Sequence, residues 1–367
     1  MSIRVLVVDD SAMMRKALRQ ILETDLDIEV VAAARDGEDA LKKAQELSPD
    51  VITLDINMPV MDGLTCLSLL LEQIPEVQVV MVSSLTQEGA ITTFEAMELG
   101  AFDYVAKPSG TVSANLHIVG RELIAKVKAA AKRKRRRPGS RLAGRNASRS
   151  AGRPPLGANR AERGDHSILV PDRAFRKVVV IGVSTGGPST LMEILPYLPA
   201  DLDASVIVVQ HMPPTFTNSF AKRLDDYCHL RFSEAKAGDK LARGEGFVAP
   251  GGHHLVLKKN ALRDDVLIRL TSQPANTLFI PSVDVTMHSV VELFGKRTVG
   301  VLLTGMGSDG ADGMVAIRQA GGVTIAEDAS TAVVFGMPRE AIERGGAEIV
   351  APSHQIAREI VKAVNRW

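Results

Sequence analysis

Short apolar runs separated by longer stretches of helical period organise the first third of the chain. Ile3–Val8, Ile28–Ala33, Val51–Leu54, Val77–Val82 and Tyr104–Ala106 are rich in Val and Ile and too short for helices. Helical stretches such as Met13–Leu22 and Glu38–Leu47 stand between them. Strands alternating with helices predict βαβ units and a mostly parallel sheet covered on both faces. Such a doubly wound domain binds ligands at the C-terminal ends of its strands. A second α/β domain is predicted where the alternation resumes, in the apolar runs that open at Lys177, Ser205 and Val299.

Composition narrows the class. The 367 residues imply two to three domains. An apolar share of 45% and a charged share of 24% exclude wholesale disorder. Every apolar run falls far short of the ~20 residues a membrane span needs, and the N-terminus lacks a secretory pattern. Cys66 and Cys228 are too far apart in the chain for a disulfide framework. The expectation is a cytoplasmic protein that is not embedded in a membrane.

The net charge of +1 conceals a strong asymmetry. Lys132–Arg163 carries twelve Lys or Arg against one acid, Glu162, whereas residues 1–131 carry 11 basic and 20 acidic side chains. The basic stretch has Gly, Ser and Pro but almost no large apolar side chains. It cannot bury enough surface to offset its ordering entropy, so it reads as a flexible linker over 132–165. Domains at 1–131 and 166–367 would flank it.

Acids gather at the predicted strand ends of the first domain. Asp9 and Asp10 close the first run, Asp55 the third and Ser83 the fourth, and Lys107-Pro108 follows the fifth. Three carboxylates at one edge repel one another unless a cation is present. Oxygen-only ligands suit Mg²⁺, which favours phosphate oxygens, and Lys107 could neutralise a phosphoryl group. With Asp55-Ile-Asn-Met-Pro59 and Met61-Asp-Gly63, these residues resemble the receiver domain of two-component response regulators, which is flavodoxin-like. The resemblance implies that Asp55 accepts a phosphoryl group from a chemotaxis histidine kinase. It further implies that Asp9, Asp10, Asp55 and the Asn57 carbonyl hold the Mg²⁺, that Ser83 and Lys107 contact the phosphoryl group, and that Tyr104 is the switch aromatic.

In the second domain a strand runs into Gly182-Val-Ser-Thr-Gly-Gly-Pro188 before a helical pattern. A Walker phosphate loop would need Lys where Pro188 stands, and a dinucleotide fingerprint would need Gly at Ser184. Gly182, Ser184 and Gly186 instead satisfy Gly-x-Ser-x-Gly, whose turn exposes a serine hydroxyl near free helix N–H groups. A base is then required. His211 directly follows an apolar strand, with His253 and His254 as competitors. For the orienting acid, Asp309 lies in a glycine-dense turn opening another helix, and Asp284 and Asp312 remain open.

Ser184-Thr-Gly-Gly187, Gln210-His-Met-Pro213, Ala249-Pro-Gly-Gly252, Pro281-Ser-Val-Asp284 and Thr304–Ala311 are similar to the catalytic domain of the chemotaxis protein-glutamate methylesterases (CheB). That resemblance implies Ser184 as nucleophile, His211 as base and Asp309 as orienter, with Thr185 and Met306 in the oxyanion region. It implies a phosphorylation-activated hydrolase that removes methyl esters from glutamates of methyl-accepting chemotaxis receptors and also deamidates glutamines. The ester chemistry needs no metal. The rival readings are a non-catalytic docking output and a nucleic-acid-binding output through the basic linker. No reading element follows that linker and it lacks stacking aromatics, so nucleic acid is not an expected partner.

Overall fold

The computed structural model describes residues 2–107, 113–135, 177–260 and 265–366, and the chain divides into two compact units. In the first unit β1 (Ile3–Val8), β2 (Ile28–Ala34), β3 (Val51–Asp55), β4 (Gln78–Ser83) and β5 (Asp103–Ala106) form a sheet in the order β2-β1-β3-β4-β5. Every pairing is parallel. The strands fall within a residue of the expected runs. Valine and isoleucine suit a pleated surface, and burial of all of β3 requires both faces to be covered.

The covering helices are α1 (Ala12–Leu22), α2 (Gly37–Leu47), α3 (Gly63–Gln73), α4 (Gln87–Leu99) and α5 (Ser113–Arg135). Ser11, Asp36, Asp62 and Thr86 each cap a helix by accepting a backbone N–H in the first turn, which fixes where α1 to α4 begin. Gly63 opens α3 against the end of β3, where a Cβ would overlap the Asp55 carbonyl. Helix α5 runs through Lys132–Arg135, the first four residues read as linker, because Ala, Lys and Arg between 128 and 135 all favour helix. The rest of the 132–165 stretch, and Pro108, lie outside the described residues.

The second unit is built on a seven-stranded sheet in the order β14-β13-β12-β6-β7-β9-β8. Its strands are β6 (Val178–Val183), β7 (Ser205–Gln210), β8 (Arg231–Glu234), β9 (Glu245–Val248), β12 (Thr298–Leu302), β13 (Val323–Glu327) and β14 (Ile349–Ala351), all parallel. An antiparallel pair, β10 (His254–Lys259) with β11 (Val266–Thr271), stands apart from it. The helices are α6 (Gly187–Ile194), α7 (Pro214–Tyr227), α8 (Val283–Phe294), α9 (Ala311–Gln319), α10 (Met337–Glu343) and α11 (Ser353–Val364).

Strand β6 comes first in sequence but lies mid-sheet, with β7 on one side and β12 on the other. The strand order reverses there, so the chains leaving β6, β7 and β12 diverge and leave a crevice at their C-terminal ends. All three strands are buried throughout. Val283, Met287, Val290 and Phe294 of α8 pack into one core with Leu302, Met314 and Ile317. That packing anchors the loops on the β12 side of the crevice. Among the described residues, no helix is long and apolar enough to cross a membrane.

Candidate functional site

The strand ends of the first unit assemble an acidic cluster. One carboxylate oxygen from each of Asp9, Asp10 and Asp55 lies within 4.8 Å of the others, a donor set that fits a hard cation. Asp9 and Asp55 are buried and Asp10 is exposed. Lys107 Nζ stands 3.0 Å from Asp9 and 2.7 Å from Asp55. Burial pushes the Asp55 carboxyl up, against the pull of that ammonium. Asn57 is exposed and donates its N–H to Asp55 Oδ1 at 3.4 Å.

Ser83 and Tyr104 are both buried. The Ser83 hydroxyl donates to the Gly89 carbonyl at 3.2 Å and accepts from the Thr93 hydroxyl at 2.8 Å. The Tyr104 ring packs edge-on to Phe94 with centroids 6.4 Å apart, and Lys126 Nζ lies 5.0 Å from its centre. No local pattern in the sequence singles out Thr93, Phe94 or Lys126.

In the second unit the crevice collects the residues expected there. Val183 and Gln210 are the last register pair of β6 and β7, so Ser184 and His211 leave the sheet side by side. The Ser184 N–H donates to the Thr304 carbonyl at 3.0 Å. Its carbonyl accepts from Gly187 N–H at 2.8 Å and from the buried Gln210 amide at 3.0 Å. The turn needs its glycines: Gly186 has φ +76°, and a Cβ at Gly187 would overlap the Gln210 amide oxygen.

His211 is clamped on two sides. Its ring stacks on Phe279, with centroids 4.0 Å apart and planes 14° from parallel. Its Nε2 lies 2.8 Å from Asp309 Oδ2. Asp309 also accepts from the Val283 N–H at 2.7 Å, the Ser282 hydroxyl at 2.8 Å and the Asp284 N–H at 3.0 Å. Burial opposes its charge, but the His211 hydrogen bond and charge, together with those N–H donors, bring its carboxyl down to about 2. An ionised Asp309 fixes the imidazole proton on Nε2 and leaves Nδ1 as the basic nitrogen. That Nδ1 is buried and has no hydrogen-bond partner.

The competing residues are used elsewhere. His254 is buried, accepting the Ser282 N–H at Nδ1 and facing the Pro274 carbonyl at Nε2, and His253 is exposed. Asp312 pairs with Arg344 at 2.7 Å. Asp284 accepts the Gly313 N–H at 2.7 Å; burial, with the nearby Asp309 charge, pushes its carboxyl up to about 6. Thr185 is buried, and Met306 is 44% exposed at the crevice rim. Ser282 lies within the Pro281–Asp284 motif without a role assigned to it there, and nothing in the sequence singles out Phe279. Ser282 caps α8 by accepting the Val285 N–H, but nothing local ties it to Asp309.

One buried acid lies deeper. Glu327, the last residue of β13, is fully buried, and burial pushes its carboxyl up to about 7 although it accepts from Thr304 and Thr331. Its raised value makes the stability it permits complete below about pH 4.5, with loss as pH rises through 7. Relative to Glu327→Gln, the parent should lose about 3 kcal/mol of stability across that window. Urea denaturation of both proteins at pH 5 and pH 8 checks this; parallel pH profiles would refute it.

Residues 5–116 match the response regulator receiver domain family and residues 179–360 the CheB methylesterase family. A protein-glutamate methylesterase/protein-glutamine glutaminase of Syntrophomonas wolfei is 53% identical, covering 99% of this chain and 100% of its own. One from Caldanaerobacter subterraneus is 52% identical over 100% of this chain and 97% of its own. A third, from Carboxydothermus hydrogenoformans, is 53% identical over 99% of each chain. With similarity running through both units and the stretch between them, the chain belongs to the protein-glutamate methylesterase/protein-glutamine glutaminase family.

Proposed function

We propose that the chain is a phosphorylation-activated hydrolase of methylated glutamate side chains on chemotaxis receptors, releasing methanol, and that it deamidates receptor glutamines through the same site. The observation that carries this reading is His211, held by Asp309 and Phe279 with Nδ1 unpartnered beside the Ser184 turn. In the reaction, Nδ1 takes the Ser184 proton as the hydroxyl attacks the side-chain carbonyl. Backbone N–H groups of Thr185 and Met306 would receive the oxyanion, an effect worth about 3 kcal/mol per donor. His211 then protonates departing methanol, or ammonia from an amide. Water attacks the acyl-serine by the reverse proton path and frees the carboxylate.

The first unit supplies control. Asp55 would accept the phosphoryl group from a histidine kinase, with Lys107 and Ser83 meeting its oxygens and Tyr104 responding. Asp9, Asp10, Asp55 and the Asn57 carbonyl would hold Mg²⁺, which would neutralise charge on the incoming group. The proposed setting is the cytoplasm. Receptor membranes carrying radiolabelled methyl esters, incubated with the protein and a small phosphodonor, test the whole reading by released methanol. Phosphodonor should raise the rate at least tenfold for the parent and leave Asp55→Asn at its basal rate. Equal stimulation of both proteins would remove Asp55 from the control step.

A further inference from the structure

The fully buried Glu327 has no part in the reaction just described, yet its contacts lead to the nucleophile in two steps. The last register pair between β12 and β13 is Leu302 with Ala326. Past that point β13 turns towards β14, where Asp328 N–H donates to the Ala351 carbonyl. No β13 carbonyl takes the next β12 donor. The Glu327 side chain substitutes: its Oε2 accepts the Thr304 N–H at 2.8 Å, and its Oε1 accepts the Thr331 hydroxyl at 3.0 Å. Thr331 Oγ1 is itself fixed by the Ser353 N–H at 2.9 Å.

Thr304, also fully buried, spends its other polar groups on the catalytic turn. Its carbonyl accepts the Ser184 N–H at 3.0 Å. Its hydroxyl donates to the Thr185 carbonyl at 2.9 Å and accepts the Val334 N–H at 2.9 Å. The next residues, Gly305 and Met306, lead into the loop that ends at Asp309. Thr304 therefore sets the two residues after β6 and the start of the orienter loop at once.

We propose that Glu327 is a positioning residue for the esterase: by holding the Thr304 N–H it fixes the peptide planes that orient Ser184, Thr185 and Met306. This rests on Ser184 being the nucleophile. A buried acid is costly to keep, and well-packed apolar side chains often replace one without loss of stability. A shape-filling Leu would leave the Thr304 N–H without an acceptor, and the peptide would turn to find one. Displacement of a donor by a fraction of an ångström weakens transition-state stabilisation while leaving the receptor-binding surface intact.

The test uses the full chain, receptor membranes for kcat and KM, and a small organophosphonate that reports Ser184 reactivity without receptor binding. Glu327→Leu should lower kcat and the phosphonylation rate by 10- to 100-fold, with KM within twofold of the parent. Glu327→Gln keeps an acceptor for Thr304 and a polar partner for Thr331, so it should recover kcat to within threefold. If Glu327→Leu does not fold, Glu327→Asp decides, because its shorter reach should cost kcat while keeping the charge. A folded Leu variant, or in its place a folded Asp variant, with parental kcat overturns the proposal. Equal loss in Gln and Leu, or a change confined to KM, overturns it as well. Ser184→Ala run alongside separates the two readings: if it retains activity, the nucleophile assignment has failed. If it is inactive while Glu327→Leu is fully active, only the role of Glu327 has failed.

Discussion

Replacement of Ser184 by Ala is expected to lower methanol release by about 10⁶-fold, the scale on which a serine hydrolase loses its nucleophile. Thr185 is buried with its carbonyl tied to Thr304, and Ser282 donates its hydroxyl to Asp309. The backbone of the turn should survive, because it is held by the Ser184 N–H and carbonyl rather than by its hydroxyl. Labelling of Asp55 from a small phosphodonor should therefore match the parent, since that chemistry belongs to the other unit. The assay is released methanol and incorporated phosphate on the same preparation. A variant that keeps most of its esterase rate would return the elbow to a plain glycine-rich turn.

Asp309→Asn should cost about 10⁴-fold in kcat with little change in KM, as expected when the imidazole is set in the wrong tautomer. The geometry explains the direction. The two Asp309 oxygens accept from His211, Ser282, Val283 and Asp284. An amide has one acceptor oxygen, so its NH₂ must face either the imidazole or the α8 N-terminus. Facing His211, it would donate to Nε2 and drive the proton to Nδ1, the nitrogen needed as base. Asp312→Asn provides the control, because its carboxylate pairs with Arg344 at the surface. It should remain near the parental rate. Loss at Asp284 with none at Asp309 would move the orienter to the first turn of α8.

Much of this was legible in the sequence because strand and loop chemistry repeat locally. Apolar runs place β1 to β5 within a residue, since helices cover both faces of the sheet and its inner strands β1, β3 and β4 are buried along nearly their whole length. The ends of four of these strands carry the polar residues expected to act there. Asp9, Asp55 and Ser83 each close a run, and Ser184 sits in a turn only Gly-rich sequence can make. The start of the basic stretch was less legible, as composition marks Lys132–Arg135 as charged but their propensity continues α5.

The family resemblance implied which partners to choose, and the tertiary structure supplied the geometry by which His211 and Asp309 meet. Spacing left His211 against His253 and His254, and Asp309 against Asp284 and Asp312. Sheet order resolves the geometry: β12 lies beside β6 although Thr298 follows Val178 by more than a hundred residues, so the Asp309 loop reaches His211. Phe279 and Glu327, and the bond from Ser282 to Asp309, were invisible for the same reason. Each acts through a contact between distant segments, and local sequence encodes the propensity of a segment, not which neighbour packing will bring to it.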